Sequence, residues 1–247
     1  MSQTTIESAP VNLALPPTQY DLPCDDDIPM ETQRHFLQMQ ILRDTLVAWL
    51  AQREDGYVGG NMFLYFSAAQ IKNQDFRGPD VFVVLGVPKG ERLSWVVWDE
   101  GKAPDVVIEL ISDSTATKDK TEKKQIYQDK VRVPEYFWYN PFDSEDWAGF
   151  SLQSGVYQHK NLDEQGRFVS QVLGLALVRW QGSYKDIQTT WLRWATLAGE
   201  LLLTPEEEAA QAQQQATQAQ QQAEQAQQRA EQLAERLREM GIDPDEG

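Results

Sequence analysis

The stretch that decides the fold is Pro104-Asp105-Val106-Val107-Ile108-Glu109-Leu110-Ile111-Ser112. Its near-continuous Val, Ile and Leu residues predict a strand that is buried on both faces, in the middle of a sheet. Glu109 is the exception, because an isolated buried carboxylate is costly unless it is paired with a cation or binds a metal. We therefore expect Glu109 to have a charged partner.

The composition limits the class of protein. The chain has 247 residues, of which 41% are hydrophobic, and its formal net charge is −16. This length suits one domain with an additional segment. The negative charge excludes broad electrostatic binding of nucleic acid, so any such binding needs a local basic patch and a cation. The single Cys24 excludes an intrachain disulfide and is typical of a reducing cytoplasm. The sequence shows neither a signal peptide nor a membrane-spanning apolar run, so we expect a cytoplasmic protein.

Three segments follow from the patterning along the chain. Residues 1–27 are rich in Pro, Ser, Thr and Asp, and they predict an irregular arm. Residues 28–203 predict one α/β (α+β) domain, and residues 204–247 predict a single long helix. Within the domain we expect helices over residues 30–52, 114–133 and 190–203, and strands over residues 61–67, 81–85, 104–112, 135–139, 150–157 and 168–177.

The C-terminal segment carries a helix-start signal followed by a heptad repeat. Thr204, Pro205 and Glu207 match a capping box with Pro at the first helical position. This pattern predicts a coiled coil that forms a homodimer or binds a partner, although an Ala seam buries little area and a lone solvated helix is the alternative. The seam residues recur at alternating spacings of three and four: Ala209, Ala212, Ala216, Ala219, Ala223, Ala226, Ala230, Leu233, Leu237 and Met240.

Two acidic residues on neighbouring predicted strands form the candidate site. Asp80 begins one strand directly after Pro79, and Glu109 lies within the next long strand. Carboxylates that converge from adjacent strands form the oxygen-rich kind of site that Mg²⁺ or Mn²⁺ prefers. Such a metal can activate water and stabilise charge on a phosphate. A nearby Lys can orient the water or offset the charge of the phosphate. Asp105 fits this site less well, because it precedes Glu109 by four residues on one strand, a separation of roughly 13 Å.

The motifs of the domain resemble those of a known family. The resemblance is to the Uma2 family of restriction-endonuclease-like proteins with the PD-(D/E)xK fold, and it covers residues 28 to 180. It implies a mixed central sheet flanked by helices and a divalent-metal-dependent endonuclease. Four motifs carry it: Arg77-Gly-Pro-Asp80-Val, Pro104-Asp-Val-Val-Ile-Glu109-Leu-Ile-Ser112-Asp-Ser114-Thr115, Asp119-Lys-Thr-Glu-Lys123-Lys-Gln-Ile-Tyr127 and Val133-Pro-Glu135-Tyr136-Phe.

The resemblance also implies which acidic residues act. Asp80 and Glu109 match the two acidic positions of the family, which would hold Mg²⁺ or Mn²⁺. Members of the family often carry a further acid on the first helix, and Glu31 is the candidate for that position here.

The lysine of the signature is displaced in this sequence. The usual motif places Lys two residues after the Glu, where this chain has Ile111. Family members place it on the following helix, which indicates Lys123, with Lys124 as the alternative. Tyr127 is four residues from Lys123, so both side chains can point towards one site.

Structural roles are the alternative explanation for these residues. Asp80 after a proline is also typical of a turn cap. The alternative for Glu109 is a buried ion pair with Lys123 or Arg132. A Lys such as Lys123 on a highly charged helix is by default a solvated surface residue, and His35 is more typically a packed or surface residue than a ligand.

The sequence therefore predicts an endonuclease that depends on Mg²⁺ or Mn²⁺. Asp80 and Glu109 would hold the metal, Lys123 would orient water or phosphate, and the substrate would be nucleic acid, with DNA favoured over RNA. A catalytically inactive interaction module that acts through the coiled coil is the second hypothesis, and the acidity of the folded part favours it.

Overall fold

The central element of the computed structural model is the strand that contains Glu109. Residues 16–24, 32–67, 76–112 and 116–240 are described. The helices are α1 (Gln33–Ala51), α2 (Val97–Glu100), α3 (Ala116–Lys118), α4 (Lys124–Ile126) and α5 (Pro205–Glu239), with π-helical turns at Asp119–Lys123 and Tyr127–Val131. The strands are β1 (Asp55–Gly60), β2 (Leu64–Tyr65), β3 (Phe76–Arg77), β4 (Val81–Pro88), β5 (Trp95–Val96), β6 (Val106–Leu110), β7 (Glu135–Asn140), β8 (Asp143–Gln153), β9 (Val156–His159), β10 (Phe168–Ser170), β11 (Leu175–Tyr184) and β12 (Ile187–Thr196).

The strand β6 lies inside a six-stranded mixed sheet. The strand order is β1-β4-β6-β7-β8-β9, with β6 antiparallel to β4 and parallel to β7. Parallel neighbours need a crossover connection, which the helical residues 116–131 supply. Residues 106–111 are each at most 4% exposed. The predicted mixed α+β fold with a buried central strand is therefore confirmed.

Alternate residues of β6 face two different cores. Ile108 and Leu110 belong to the core that includes α1 and the sheet β10-β11-β12. Val107 belongs to the core on the opposite face, together with Tyr127 and Tyr136. Because successive strand residues alternate between faces, Glu109 projects towards the second face, where the crossover lies.

The crossover alternates α and π turns along residues 116–131. A π turn contains more residues than the 3.6 of an α turn, so the alternation brings residues four apart close to one line along the helix. Asp119, Lys123 and Tyr127 have this spacing. The segment ends at Val131, after which Arg132 adopts a left-handed conformation with φ of 62°. Residues 114 and 115, the first two of the predicted helix, lie outside the described residues.

The predicted helix over residues 190–203 is wrong, because residues 187–196 form β12 instead. Lys185 and Asp186 have positive φ and turn the chain back, so that β12 pairs with the whole of β11. Residues 191–195 are all buried, so the strand lacks the alternation that would have identified it. Gln38 of α1 then fixes β12 in place, because its side chain exchanges two hydrogen bonds with the backbone of Leu192, of 2.8 and 2.9 Å. The predicted strand over residues 61–67 is also shorter than expected, since only Leu64–Tyr65 pairs.

The C-terminal segment forms a unit of its own, with the division after Leu202. Helix α5 begins at Pro205, and Thr204 and Glu207 form the predicted capping box. The helix has 35 residues and buries none of them. Among the described residues, no helix combines the length and the apolar character needed to cross a membrane.

Candidate active site

Asp80 and Glu109 come from adjacent antiparallel strands. The register pairs Val81 with Ile108, so Asp80, one residue before β4, continues the ladder opposite Glu109. Directly opposed residues project on the same face, with Cβ atoms about 5 Å apart. The carboxyl of Asp80 accepts a 2.7 Å hydrogen bond from the backbone N–H of Leu110, and the nearby charge of Asp80 adds to the raised pKa of Glu109. The structure thus brings the two predicted acids together.

Glu109 is fully buried, and both of its carboxylate oxygens have partners. Lys123 Nζ lies 2.9 Å from Oε2, and the Tyr127 hydroxyl donates a 2.7 Å hydrogen bond to Oε1. Lys123 and Tyr127 reach Glu109 because the crossover places them on one line above β6. Lys123, and not Arg132, is therefore the ion-pair partner of Glu109.

Asp119 also lies at this site, although the sequence reasoning did not single it out. Its Oδ1 atom lies 2.8 Å from Lys123 Nζ, and the residue is 1% exposed. The Tyr136 hydroxyl donates a 3.0 Å hydrogen bond to the backbone carbonyl of Asp119 and holds this turn against the sheet. The available signal was the spacing of four from Asp119 to Lys123 and again to Tyr127. We refer to Asp80, Glu109, Asp119 and Lys123 as the acidic cluster.

The acidic cluster shifts the pKa values of its members. Burial raises the pKa of Glu109 to about 8; Lys123 opposes the shift, and Asp80 and Asp119 add to it. Burial likewise raises the pKa of Asp80. Burial alone would lower the pKa of Lys123, but Glu109, Asp119 and Asp80 together raise it above its usual value. Lys123 therefore stays charged at neutral pH, and burial together with the neighbouring acids makes Glu109 harder to ionise than an ordinary carboxyl group.

The alternative lysine Lys124 and the rejected acid Asp105 lie away from Glu109. Lys124 Nζ lies 3.6 Å from the centroid of the Phe150 ring, so it packs on an aromatic face while Lys123 contacts Glu109. Asp105 accepts a 2.7 Å hydrogen bond from Leu85 N–H and pairs with Lys102, so it stabilises the entry of the strand. Glu31 lies outside the described residues.

The donor set of the cluster fits a hard divalent cation. The acidic cluster holds three carboxyl groups and one ammonium group, and a cation would offset the excess negative charge. Within the described part of the chain, no three His, Cys, Asp or Glu side chains converge to form a complete metal site. Mg²⁺ is commonly held by one or two carboxylates, with water and substrate phosphate completing its shell. Asp80 and Glu109 supply a pair of this kind.

Comparisons with known proteins identify the family. A search of curated proteins gives no match. The crystal structure of a putative nuclease from Anabaena variabilis aligns with 15% identity and a TM-score of 0.41, covering 55% of this chain and 70% of that one. The family model Uma2, described as "Putative restriction endonuclease", matches residues 13–183, which is more than half of the sequence. The resemblance of the motifs is therefore confirmed, and the chain belongs to the Uma2 family of putative restriction endonucleases.

Proposed function

We propose that the protein is an endonuclease that hydrolyses phosphodiester bonds of nucleic acid, DNA in the first instance, with Mg²⁺ or Mn²⁺. The observation that carries this proposal is the excess of acid in the cluster. Glu109 and Asp119 both contact the ammonium group of Lys123, and Asp80 stands opposite Glu109 on the neighbouring strand. A structural ion pair needs one partner for each charge, whereas a surplus of buried carboxylate is stabilised when a cation binds.

Each residue at the proposed site has a separate role. Asp80 and Glu109 would hold the metal, which when bound acts as a Lewis acid at a phosphate oxygen and lowers the pKa of water. The ammonium group of Lys123 lies beside Glu109 and would orient the attacking water or offset charge on the phosphate. Tyr127 fixes the direction of the Glu109 carboxylate through its 2.7 Å hydrogen bond. Asp119 fixes Lys123 from the opposite side.

A nicking assay on supercoiled plasmid tests the proposal. The wild-type protein is expected to nick DNA with Mg²⁺ or Mn²⁺ and to lose this activity in EDTA. The Glu109→Gln variant is expected to be inactive. Asp105→Asn is the matched control, since Asp105 is an acidic residue directly before β6 but bonds Leu85 and Lys102 instead of the acidic cluster. Equal nicking by the wild-type and Glu109→Gln proteins would contradict the proposal.

We further propose that α5 self-associates, and the order of its seam residues favours an antiparallel pair. Every seam residue of the isolated chain is at least partly exposed. In an antiparallel pair the seam aligns with itself so that small residues face large ones, which keeps the two helices at an even distance. The facing pairs are Ala209 with Met240, Ala212 with Leu237, Ala216 with Leu233, Ala219 with Ala230 and Ala223 with Ala226.

Cysteine cross-linking tests this association in a Cys24→Ser background. An antiparallel pair predicts that Ala216→Cys protein cross-links with Leu233→Cys protein and that neither variant cross-links with itself. Self-cross-linking of Ala216→Cys would indicate a parallel pair. A monomer in sedimentation equilibrium, with no cross-link in either experiment, would contradict the association.

A catalytically inactive interaction module is the second candidate function. The observation that favours it is the complete burial of Glu109, with both carboxylate oxygens already bonded. This candidate predicts no metal-dependent nicking by the wild-type protein and a self-associating or partner-binding α5. The plasmid assay and the cross-linking experiment together separate the two functions.

A further inference from the structure

Phe142 is a large apolar residue exposed at the same edge of the sheet as the acidic cluster. It lies in the turn between β7 and β8 and is 56% exposed. The parallel register pairs Leu110 of β6 with Tyr139 of β7, so both strands end at this edge. Glu109 is the second-last residue of β6, and Phe142 follows β7 by two residues. The exposed ring is therefore a neighbour of the proposed active site.

Two residues of α1 connect Phe142 to the end of β6. The guanidinium carbon of Arg34 lies 4.5 Å from the centroid of the Phe142 ring, and the His35 ring centroid lies 5.5 Å from it. His35 Nε2 lies 3.3 Å from the backbone carbonyl oxygen of Ile111. Ile111 follows Glu109 by two residues, or about 7 Å of strand. Phe142 therefore lies at the strand end that also carries Glu109.

The chemistry of this group is that of a base-stacking platform. Arg34 covers part of the ring, yet more than half of Phe142 remains exposed and can accept a second planar group. An aromatic ring backed by a guanidinium stacks on any base, because every base has a π face. An unpaired base presents a free face to the ring, whereas a base inside a duplex must first be unstacked from its neighbour, which costs about a few kcal/mol per step.

We propose that Phe142 stacks on an unpaired base and that the substrate of the site is single-stranded nucleic acid or the unpaired part of a duplex. This inference rests on the proposed nuclease function and names its substrate class. It also accounts for the net charge of −16. Stacking on one or two bases needs no broad positive surface, and Arg34 supplies a local cation beside the ring.

Binding of a labelled oligonucleotide tests the inference without cleavage. A fluorescent dT12 strand and a blunt 12-base-pair duplex are titrated with full-length Glu109→Gln protein, with anisotropy as the readout. The strand is expected to bind more tightly than the duplex. In the same background, Phe142→Ala is expected to weaken strand binding by roughly 5- to 150-fold, the value of one base–aromatic stack.

Matched variants separate stacking from apolar contact and from unfolding. Phe142→Trp keeps an aromatic face and is expected to retain strand binding. Phe142→Leu keeps an apolar side chain without the ring and is expected to bind as weakly as Phe142→Ala. Leu162→Ala removes a different exposed apolar side chain and is expected to change nothing. Circular dichroism confirms that each variant is folded.

Several outcomes would overturn the inference. These are an unchanged strand affinity in Phe142→Ala, retention of affinity in Phe142→Leu, and duplex binding as tight as strand binding. A change in sedimentation of the Phe142 variants with unchanged oligonucleotide affinity would indicate a protein contact and would also overturn it. If strand binding depends on Phe142 but the wild-type protein never cleaves, the nuclease proposal fails while the stacking site stands.

Discussion

Among the described residues, two buried glutamates each pair with a lysine, and their surroundings differ in one respect. Glu109 pairs with Lys123 at 2.9 Å, and Glu135 at the start of β7 pairs with Lys160 at 2.7 Å. Glu135 is otherwise surrounded by donors, since the Ser170 hydroxyl and the backbone N–H of Gln171 both bond it. Glu109 has a donor in Tyr127 but also two neighbouring acids, Asp80 and Asp119.

The difference separates a structural pair from a candidate catalytic one. The contacts of Glu135 balance its charge and join β7 to β10 through Ser170, so the pair stabilises the fold. The acidic cluster leaves negative charge in excess, which burial makes costly and a bound cation would relieve. A buried ion pair alone is therefore weak evidence for function, whereas a buried excess of like charge is stronger evidence.

The largest expected effect is on catalysis at the acidic cluster. Glu109→Gln keeps the shape of the side chain but removes its charge, so we expect plasmid nicking to fall by roughly 1000-fold or more. Glu135→Gln should keep the rate per folded molecule within about twofold of the wild-type rate, because no hydrogen bond or ion pair of Glu135 involves the acidic cluster. Equal losses in the two variants would break the distinction between the sites.

The two lysines should differ in the same way. Lys123→Met is expected to lower nicking by roughly 100-fold, since it removes the ammonium group beside the proposed metal ligands. Lys160→Met should lower stability and leave the cleavage rate unchanged once the protein is folded. Rates are measured at saturating Mn²⁺ so that weakened metal binding is not mistaken for lost chemistry. A full rate in Lys123→Met would assign that lysine a structural role only.

The two Gln variants should differ in stability in the opposite order to their difference in catalysis. Glu135→Gln leaves Lys160 buried without its counter-charge, which costs about 3 to 5 kcal/mol of unfolding free energy. Glu109→Gln relieves repulsion from Asp80 and Asp119, so its cost should be at most about 1 kcal/mol, and a gain is consistent with the account. Urea denaturation monitored by Trp fluorescence measures both values. A larger loss in Glu109→Gln would indicate that Glu109 is mainly a structural residue.

The pH dependence of stability follows from the raised pKa of Glu109. The folded-state value of about 8 exceeds the unfolded value of 4.5, so the folded protein binds the proton more tightly. This contribution is complete below pH 4.5 and is lost as the pH rises through 8. Without metal, the wild type should therefore lose stability from pH 5 to pH 8.5 relative to Glu109→Gln. Parallel stability curves for the two proteins would contradict the assigned shift.

The smallest expected effect belongs to Tyr127. Tyr127→Phe removes the 2.7 Å hydrogen bond to Glu109 while keeping the ring in its core. We expect a three- to tenfold lower rate, the value of one hydrogen bond of about 1 kcal/mol. Tyr157→Phe is the control, because its hydroxyl bonds the carbonyl of Val133. An equal rate change in both variants would show that Tyr127 has no specific role at the site.

The site was largely predictable from the sequence, because the charged residue in an apolar strand identified Glu109, and the neighbouring Pro-Asp identified Asp80. The antiparallel register then places these two opposite each other. The sequence analysis did not identify Asp119 as a site residue, because it resembles an ordinary charged residue on a Lys-rich helix. Only the alternation of α and π turns brings Asp119 to the face of the sheet that carries Glu109. The prediction of a helix was wrong at β12. The hairpin before it has positive φ at Lys185 and Asp186 without the Gly or Asn that usually indicates such a turn.

The most direct test of the central claim is calorimetric titration of Mn²⁺ into the wild-type, Glu109→Gln and Glu135→Gln proteins at pH 8. We predict a saturable binding isotherm for the wild type and for Glu135→Gln, and none for Glu109→Gln. Wild-type affinity should also increase from pH 6.5 to pH 8.5, because the metal displaces a proton from Glu109. Absence of binding to the wild type, or equal binding to Glu109→Gln, would contradict the claim that the excess acid of the cluster is a cation site.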